Sequence, residues 1–436
     1  MNTQLSRPGG AGPHGVRSQG ADQHGGSHLS GKTIAIIGGC GHVGLPLGVK
    51  FALAGAKVEL IDIDQEAVNK VNSGRFPFVE RGGNQQLQAA IDKGLEATTV
   101  GAACERADVV VFVTGTPVDE HLNPKLSGVL SIFDNYRQHF RRGVLVVMRS
   151  TLFPGTMEHL HKRVQQLELD IKLAFCPERV AQGIALDEID SLPQIISAFE
   201  DESFAVAYDL FAPLAPEIIR LSPLEAEMTK LMANSWRYLE FAIANQFYMI
   251  AESNGVDFYK IYQAIRYKYP RANGYKAPGF AAGPCLFKDT MQLASYFDHQ
   301  FYMGHSAMLV NEGLATFVVN KAAALAGGEL WGKTIGLLGM SFKADNDDIR
   351  ESLSFRVKKG LEFQGATVLC TDPFLPESTP LGEVASSADV LVLCTPHREY
   401  LEMTFEKPLV DVWGIFNKPE LEVLPGHPVR EQAKVA

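Results

Sequence analysis

The chain has 436 residues and a formal net charge of −10, with 46% hydrophobic and 21% charged residues. This composition is typical of a globular protein of two or three domains, and the acidic balance argues against a nucleic-acid partner, whose phosphates need a basic surface. No stretch reaches the roughly 18 consecutive apolar residues of a membrane span, no signal-peptide pattern is present, and the six cysteines form no CxxC pair, which favours a reducing, cytoplasmic compartment.

Residues 1–30 are rich in Gly, Ser, Gln and His. Such a segment buries too little apolar surface to offset its chain entropy, so we expect a disordered tail. Its histidines, His14, His24 and His28, could bind a metal ion, but a solvated tail without metal is the expectation.

The apolar run that follows the tail is repeated towards the end of the chain. The repeated segments are 31–38 (GKTIAIIG) and 332–339 (GKTIGLLG), the runs that end at Asp62 and Asp372, and the Ala-Asp-Val sequences at 107–109 and 388–390. Each copy has an apolar run, a turn, a helix-length segment and a second apolar run, which is the pattern of a parallel sheet with crossover helices. We therefore predict an α/β fold with two Rossmann-like, doubly wound parallel-sheet domains, at 31–215 and 326–436.

The first copy continues into a glycine-rich turn with the sequence GCGHVG. The glycines of a GxGxxG turn let the backbone approach a pyrophosphate, which then lies at a helix N-terminus. Asp62 ends the next apolar run, where a carboxylate hydrogen-bonds a ribose hydroxyl and repels a 2′-phosphate; Asp64 is its rival for this role. The predicted cofactor is therefore NAD, and a turn that binds no nucleotide is the alternative. The predicted contacts are Gly39, Gly41, His42, Val43, Gly44 and Asp62.

Two further loops of the first copy follow apolar runs, TGTP at 114–117 and STLFPGT at 150–156. In open parallel sheets, ligands lie beyond the carboxyl ends of the strands. We therefore expect Thr116, Pro117 and Thr151 to face the cofactor.

The segment 216–325 joins the two copies. Between 224 and 255, apolar residues recur every three to four positions, which predicts a long amphipathic helix. Glu227, Lys230 and Asn234 share one face of this helix, and their spacing alone favours a solvated polar stripe over a reacting site.

A cysteine follows in a loop of small residues. Cys285 precedes Lys288 and Asp289. The thiolate is the reactive form of cysteine, and positive charge on Lys288 or Lys230 would raise the ionised fraction of the thiol. Taken alone, however, the pattern favours a buried, inert cysteine, which is also our interpretation of the other five.

In the second copy, the turn after the apolar run reads MSFKA at 340–344. Without the glycines, the backbone cannot approach a pyrophosphate closely. Lys343 is then the expected anion contact, which indicates a ligand different from that of the first copy.

Together these motifs resemble the nucleotide-sugar 6-dehydrogenases, the family of the UDP-glucose, UDP-N-acetylhexosamine and GDP-mannose dehydrogenases. The motifs that carry the resemblance are GxGxxG, the strand-end aspartate, TGTP, STxxPGT, CPERV at 176–180, the KxxxN helix, a cysteine followed by Lys and Asp, and FKAxxxDIRES at 342–352. The likeness extends from Gly31 to about Asn417. It implies the oxidation of a primary alcohol to a carboxylate in two NAD-dependent steps, through a cysteine thiohemiacetal and a thioester.

The resemblance also implies roles for individual residues. Cys285 matches the nucleophile, Lys230 and Asn234 the donors that steady oxyanions, and Glu178 the glutamate of thioester hydrolysis. The implied catalytic residues are Cys285, Lys230, Asn234, Asp289, Glu178 and Thr151. The implied substrate contacts are Glu178, Arg179, Val180, Lys230, Asn234, Arg271, Phe280, Phe342 and Lys343. Arg350 is implied as a further cofactor contact. Arg271 matches an arginine that reaches the sugar nucleotide of a neighbouring subunit, which implies a homodimer or a higher homo-oligomer.

Three positions depart from the family pattern. Gln182 replaces a second glutamate, Ala282 replaces one of the paired glycines before the cysteine, and no arginine follows Asp411. The first change leaves general-base chemistry to Glu178.

Two features of the resemblance disagree on the sugar. CPERV and the segment 269–273 resemble the N-acetylhexosamine branch, whereas Lys288 and Asp289 resemble the glucose branch. The expected substrate is a UDP-N-acetylhexosamine, and the alternative is UDP-glucose. A two-electron hydroxy-acid dehydrogenase and a non-catalytic nucleotide sensor are the more distant alternatives.

Overall fold

The computed structural model describes residues 28–115 and 126–424. The predicted cofactor contacts Thr116 and Pro117, and residues 1–27 of the predicted tail, lie outside this part of the chain. The tail limit at residue 30 needs a correction, because Leu29 is buried against the first sheet and its N–H donates to the Ala54 carbonyl at 3.2 Å.

The first sheet of the described residues has eight strands. The strands are β1 (Thr33–Ile37), β2 (Lys57–Ile61), β3 (Leu95–Thr98), β4 (Val109–Phe112), β5 (Val144–Met148), β6 (Ile171–Phe175), β7 (Gln194–Ala198) and β8 (Ile218–Leu221). Their order is β3-β2-β1-β4-β5-β6-β7-β8, and only the β6–β7 pair among them is antiparallel. The strands in the centre of the sheet, such as β1, β4 and β5, are apolar and buried, as expected where helices cover both faces of a sheet. The helices are α1 (Gly44–Leu53), α2 (Gln65–Asn72), α3 (Gly83–Ile91), α4 (Leu126–Tyr136), α5 (Thr156–Gln166), α6 (Ala185–Ser191) and α7 (Asp201–Phe211).

A helical region joins this sheet to the second one. Its helices are α8 (Pro223–Ser253), α9 (Phe258–Arg266), α10 (Leu286–Tyr296) and α11 (Tyr302–Leu325). The long helix α8 begins where the sequence dictates, since Ser222 and Glu225 form a capping box and Pro223 occupies the first turn. It packs against both α10 and α11.

The second sheet consists of β9 (Thr334–Leu338), β10 (Thr367–Thr371), β11 (Val390–Leu393) and β12 (Leu409–Asp411), in the order β10-β9-β11-β12 with all pairs parallel. The helices around it are α12 (Ser354–Phe363), α13 (Leu381–Ser387) and α14 (Arg398–Leu401). The register repeats that of the first sheet: Thr33 pairs with Lys57, and Thr334 pairs with Thr367.

The repeated Ala-Asp-Val sequences make the same hydrogen bond in both copies. The Asp108 carboxylate accepts the N–H of Thr33 at 2.8 Å, and the Asp389 carboxylate accepts the N–H of Thr334 at 2.8 Å. Each aspartate thus accepts a backbone N–H group at the amino end of the first strand of its sheet. The predicted α/β fold, with two parallel-sheet domains joined by a long helix, is confirmed.

Candidate active site

The glycine-rich turn connects β1 directly to α1. A Cβ on Gly39 would lie 2.7 Å from the Ile36 carbonyl oxygen, and one on Gly44 would lie 2.7 Å from the Gly38 carbonyl oxygen, so packing requires both glycines. A Cβ on Gly41 would meet nothing nearer than 3.6 Å. Gly41 therefore keeps the space above the N-terminus of α1 open, as a phosphate ligand requires.

Asp62 lies at the end of β2, at the edge of a cleft of about 1020 Å³. Its carboxylate accepts the N–H of Cys40 at 3.0 Å and that of Asp64 at 3.2 Å. The rival carboxylate of Asp64 instead caps α2 through the N–H groups of Glu66 and Ala67. Asp62 is therefore the carboxylate that faces the cleft.

His42, in the glycine-rich turn, lies within electrostatic range of Arg350 of the second domain. Its ring stacks on Phe78 at a centroid distance of 3.9 Å, and its Nε2 atom has no hydrogen-bond partner among the described residues. Burial lowers the pKa of His42, and the positive charge of Arg350 acts in the same direction. Arg350 is held by Asp348, with Nε–Oδ1 and Nη2–Oδ2 distances of 2.9 and 2.6 Å. The turn thus offers a neutral imidazole beside a guanidinium group.

A second cleft, of about 620 Å³, brings distant parts of the chain together. Its lining residues are Arg179, Val180, Ala181, Gln182, Lys230, Asn234, Arg237, Ala282, Gly283, Pro284, Cys285, Leu286, Phe342 and Lys343. Lys343 crosses the cleft and donates to the Gln182 carbonyl at 2.9 Å. The interpretation of Glu227, Lys230 and Asn234 as a solvated stripe is therefore wrong, because Glu227 and Asn234 are buried and Lys230 lines this cleft.

Asn234 and Asp289 form the polar floor behind the cysteine. The Asn234 Nδ2 atom donates to Asp289 Oδ2 at 2.6 Å, and Asp289 is completely buried. The Lys288 Nζ atom lies 3.4 Å from Asp289 Oδ1, which accepts no hydrogen bond from the described residues. Asp289 Oδ1 thus has the Lys288 ammonium group as its ion-pair partner and no hydrogen bond from the described residues, which leaves hydrogen-bonding capacity on a buried carboxylate.

Cys285 is exposed to the cleft, immediately before α10, whereas the other cysteines are buried or half-buried: Cys40, Cys104, Cys176, Cys370 and Cys394. The interpretation of Cys285 as a buried residue is therefore wrong. Lys230 and Lys288 act to lower the pKa of the Cys285 thiol, in the direction expected from the sequence. Although the residue is exposed at the cleft, the surrounding protein walls partly desolvate its thiol. This desolvation and the negative charge of Asp289 raise the pKa of the Cys285 thiol, and they outweigh Lys230, Lys288 and Arg350. Attack by this sulfur needs a group that removes its proton.

Glu178 was expected beside Cys285, but it lies next to the cysteine cleft, against Arg149. Its carboxylate is paired with the buried guanidinium group of Arg149 and accepts the N–H groups of Arg179 at 2.7 Å and Val180 at 3.1 Å. Arg149 also donates to Gln194 Oε1 at 3.0 Å. Glu178 is absent from the lining of the cysteine cleft, and in this position it holds the loop whose next residues line the cleft. The sequence signal that we missed is a charged residue at the end of the buried run of β5.

Glu227 joins α8 to the loop after β5. Its two carboxylate oxygens accept the N–H groups of Gly155 and Met157, each at 2.7 Å, at the N-terminus of α5. Burial raises the pKa of Glu227 to about 7, although both N–H donors act to lower it. The carboxyl group therefore fixes the loop that contains Thr151 against the helix turn before Lys230.

The remaining expected contacts are found in three different places. Phe280 is buried against Trp413, at a centroid distance of 6.5 Å, and does not line the cleft. Arg271 is exposed in the short 3-10 turn Pro270–Ala272, with its guanidinium group over the Tyr269 ring. Arg237, which the sequence analysis missed, lines the cleft from the same face of α8 as Lys230 and Asn234, one turn after Asn234.

Two absences hold for the described part of the chain. Residues 28–115 and 126–424 contain no group of three His, Cys, Asp or Glu side chains arranged to hold a metal ion. No helix within these ranges is both long and apolar enough to cross a membrane.

Three family models match the chain, all of the UDP-glucose/GDP-mannose dehydrogenase family. The NAD binding domain matches residues 32–215, the central domain matches 224–312, and the UDP binding domain matches 336–418.

Individual relatives match over most of their length. A UDP-N-acetyl-D-mannosamine dehydrogenase of Methanocaldococcus jannaschii is 28% identical, with 90% of this chain and 91% of the relative covered. An NDP-N-acetyl-D-galactosaminuronic acid dehydrogenase of Ralstonia nicotianae is 28% identical, with 86% and 93% covered. Among solved structures, a UDP-glucose dehydrogenase from Pyrobaculum islandicum superposes with a TM-score of 0.81 at 25% identity, covering 89% of this chain and 95% of that one.

Proposed function

The chain belongs to the UDP-glucose/GDP-mannose dehydrogenase family and is an NAD-dependent nucleotide-sugar dehydrogenase, and from this premise we propose that it oxidises the 6-hydroxyl group of a UDP-N-acetylhexosamine to the carboxylate. The observation that carries the proposal is the cleft in which Cys285 faces Lys230 and Asn234 between the two sheets. The names of the two relatives favour an N-acetylated sugar. The alternative substrate is UDP-glucose, which the structural likeness to a UDP-glucose dehydrogenase supports.

Residues around the glycine-rich turn fit the cofactor. Gly41 leaves room for a pyrophosphate, the N-terminus of α1 points at it, and Asp62 stands where a ribose would lie. NAD, when bound there, accepts a hydride from the substrate in each of the two oxidations. His42 and Arg350 would contact its phosphates, because His42 lies in this turn and the positive charge of Arg350 is close enough to act on it.

Cys285 would retain the intermediate aldehyde. Its sulfur forms a bond to the aldehyde carbon while the thiol proton passes to the aldehyde oxygen, which gives a thiohemiacetal. In the second oxidation, a hydride from this carbon would pass to the second NAD and the hydroxyl proton would be released to solvent, which leaves a thioester. Water then cleaves the carbon–sulfur bond, the product leaves as a carboxylate and the thiol is restored.

Lys230 and Asn234 would stabilise the negative charge that develops on the substrate oxygen. Both line the cleft from one face of α8, and the hydrogen bond to Asp289 fixes the Asn234 amide. A preorganised donor of this kind contributes about 3 kcal/mol to lowering the barrier.

Asp289 is the base that the geometry supports. Its Oδ1 atom accepts no hydrogen bond from the described residues, whereas both oxygens of Glu178 are engaged by Arg149 and the backbone. We therefore assign to Asp289 the relay of the thiol proton from Cys285 to the aldehyde oxygen and the removal of a proton from the hydrolytic water, with Thr151 as a further water contact. Glu178 then acts by holding the loop of Arg179 and Val180.

The second sheet would hold the nucleotide of the substrate. Lys343 and Phe342 line the cysteine cleft from the loop after β9, and Arg237 and Arg179 add positive charge on the other walls. This cluster of cations suits the diphosphate of a nucleotide sugar in a chain whose net charge is negative.

A homodimer would use α8. Large apolar side chains form an exposed stripe along the helix, namely Met232, Trp236, Ile243, Phe247 and Ile250. An exposed apolar stripe of this extent is typical of an interface, and Arg271 is exposed where it could reach a neighbouring subunit. Trp236→Glu should give monomers in light scattering, and a dimer that is unchanged by this substitution would contradict the proposed interface.

Six free thiols fit the reducing, cytoplasmic compartment that we propose.

The experiment that tests the function follows NADH absorbance with a panel of UDP- and GDP-sugars. Two NADH per molecule of a UDP-N-acetylhexosamine are expected, whereas one NADH per substrate would indicate a two-electron dehydrogenase. Cys285→Ser should stop release of the acid while leaving substrate binding intact. A fully active Cys285→Ser variant would rule out the thioester route.

A further inference from the structure

The loop before Cys285 is clamped by a buried asparagine of α8. The Asn245 Nδ2 atom donates to the Gly279 carbonyl at 3.0 Å, and the Gly279 N–H donates to Asn245 Oδ1 at 2.9 Å. One side-chain amide thus pairs with both polar groups of a single residue. Asn245 is completely buried, so these two hydrogen bonds do not exchange with solvent.

The orientation of this amide is fixed by a second asparagine. The Asn245 Nδ2 atom also donates to Asn311 Oδ1 at 2.9 Å, and the Asn311 Nδ2 atom donates to the Tyr238 carbonyl at 3.1 Å. Asn311 lies on α11 and is completely buried. If the Asn245 amide flipped, its NH2 group would face the Gly279 N–H, so only one orientation satisfies the relay.

The opposite side of the loop is pressed against the second domain. A Cβ on Gly279 would clash with the Trp413 ring, and one on Gly283 would lie 2.5 Å from the Phe342 ring. The Gly283 N–H donates to the Glu351 carbonyl at 3.2 Å. These aromatic rings block movement of the loop towards the second domain. On the opposite side, which faces α8, the loop is held by Asn245.

We propose that Asn245 is a positioning residue for Cys285, which fixes the loop that delivers the sulfur to the cleft walls of Lys230 and Asn234. This inference rests on the proposed role of Cys285 as the nucleophile. All three cleft partners then depend on α8, since Lys230 and Asn234 lie on that helix and Asn245 ties the cysteine loop to it. An error of about 1 Å in the position of a reacting atom can lower the rate about 100-fold.

The test compares turnover with the alkylation of Cys285 in Asn245→Ala. Because the loop loses its attachment to α8, kcat should fall about 10- to 100-fold while the KM for both substrates changes less than about threefold. Burial and Asp289 raise the pKa of the Cys285 thiol in the intact protein. A released loop should therefore react faster with iodoacetamide at pH 7, followed by mass spectrometry of the Cys285 peptide in the absence of substrate.

Turnover and alkylation should thus change in opposite directions. The peptides of the buried cysteines Cys104 and Cys394 should stay unmodified, which separates release of the loop from a general loss of structure. Asn254→Ala is the matched control, because its exposed side chain bonds only to the Ile250 carbonyl at the end of the same helix. If Asn245→Ala does not fold, Asn311→Ala is tested instead. A smaller fall in kcat and a smaller rise in the alkylation rate of Cys285 are then expected. Wild-type kcat, or an unchanged alkylation rate, in the folded variant overturns the proposal. Failure of the thioester route would appear separately, as an active Cys285→Ser.

Discussion

The two βαβ copies begin alike and end differently. At the amino ends, Asp108 and Asp389 make the same hydrogen bond, 2.8 Å in length, to the first strand of their sheet. At the carboxyl ends, α1 begins at Gly44, close to its strand, whereas α12 begins only at Ser354, after the loop that carries Lys343. Ligands lie beyond the carboxyl ends of parallel strands. The two copies are therefore alike at the amino ends of their strands, where the structure is stabilised, and differ at the carboxyl ends, where ligands bind.

The two strand-end aspartates sharpen this comparison. Asp62 lines an open cleft, but Asp372 is buried and accepts hydrogen bonds from the Met340 N–H at 2.7 Å, from the N–H and hydroxyl groups of Ser341, and from His397 Nε2 at 3.1 Å. A carboxylate at the same place in the sheet is therefore available to a ligand in one copy and occupied by its own domain in the other.

The largest expected effect concerns Asp372. Asp372→Ala leaves buried donors without an acceptor, so we expect the free energy of unfolding to fall by about 3–5 kcal/mol. Urea denaturation measures this change, and the KM for NAD of the protein that remains folded should be unaltered. The matched variant Asp62→Ala should change stability by less than about 1 kcal/mol. Equal losses in the two variants would contradict the distinction between a structural and a ligand-binding aspartate.

The next effect concerns the cofactor side. Asp62→Asn should raise the KM for NAD about 10- to 100-fold, because a hydrogen bond to a charged group contributes about 1.5–3 kcal/mol. Discrimination against NADP should also weaken, since the repulsion of a 2′-phosphate is removed. Steady-state kinetics with both cofactors provide the measurement. An unchanged preference for NAD would show that Asp62 does not select the cofactor.

A smaller effect is expected at Gly41. A Cβ at this position would meet nothing nearer than 3.6 Å in the protein, so Gly41→Ala should leave the thermal midpoint unchanged while raising the KM for NAD about tenfold, or about 1.4 kcal/mol. Gly39→Ala is the paired variant, because its Cβ would be 2.7 Å from the Ile36 carbonyl oxygen and should destabilise the fold. A normal KM for Gly41→Ala would mean that no phosphate approaches this residue.

The smallest expected effect is that of pH. Between pH 8 and pH 5, the contribution of Asp372 to the free energy of unfolding should hardly change. Burial alone would raise the pKa of Asp372, but His397 and the backbone donors hold it well below its usual range. A lowered pKa in the folded state stabilises the protein above the unfolded pKa of about 3.9, and this stabilisation is lost as the pH falls further. The difference in unfolding free energy between wild type and Asp372→Ala should stay constant down to about pH 5 and shrink below about pH 4. A difference that shrinks already at pH 6 would point to another group.

Features with a local cause could be predicted from the sequence. The buried strands follow from continuous apolar runs, α8 follows from its apolar period and the capping box at Ser222, and the turn at 39–44 follows from its glycines. Each signal lies within a few residues of the element that it specifies, so a single chain is enough to detect it.

Features that depend on distant partners could not be predicted. The position of Glu178 is determined by Arg149, and the thiol of Cys285 responds to burial more than to the lysines named from the sequence. The clamp of Asn245 on Gly279 joins residues that nothing in the local sequence connects. Such contacts arise only after the domains have packed, so composition and spacing cannot reveal them.

The buried pair of Arg149 and Glu178 has a consequence for how homologous sequences can diverge. Loss of either residue alone would leave an uncompensated charge in the protein interior, which costs about 3–5 kcal/mol and is comparable with the whole stability margin of many domains. Homologues should therefore exchange the arginine and the glutamate together or keep both, and the two alignment columns should covary even though the residues lie on different loops.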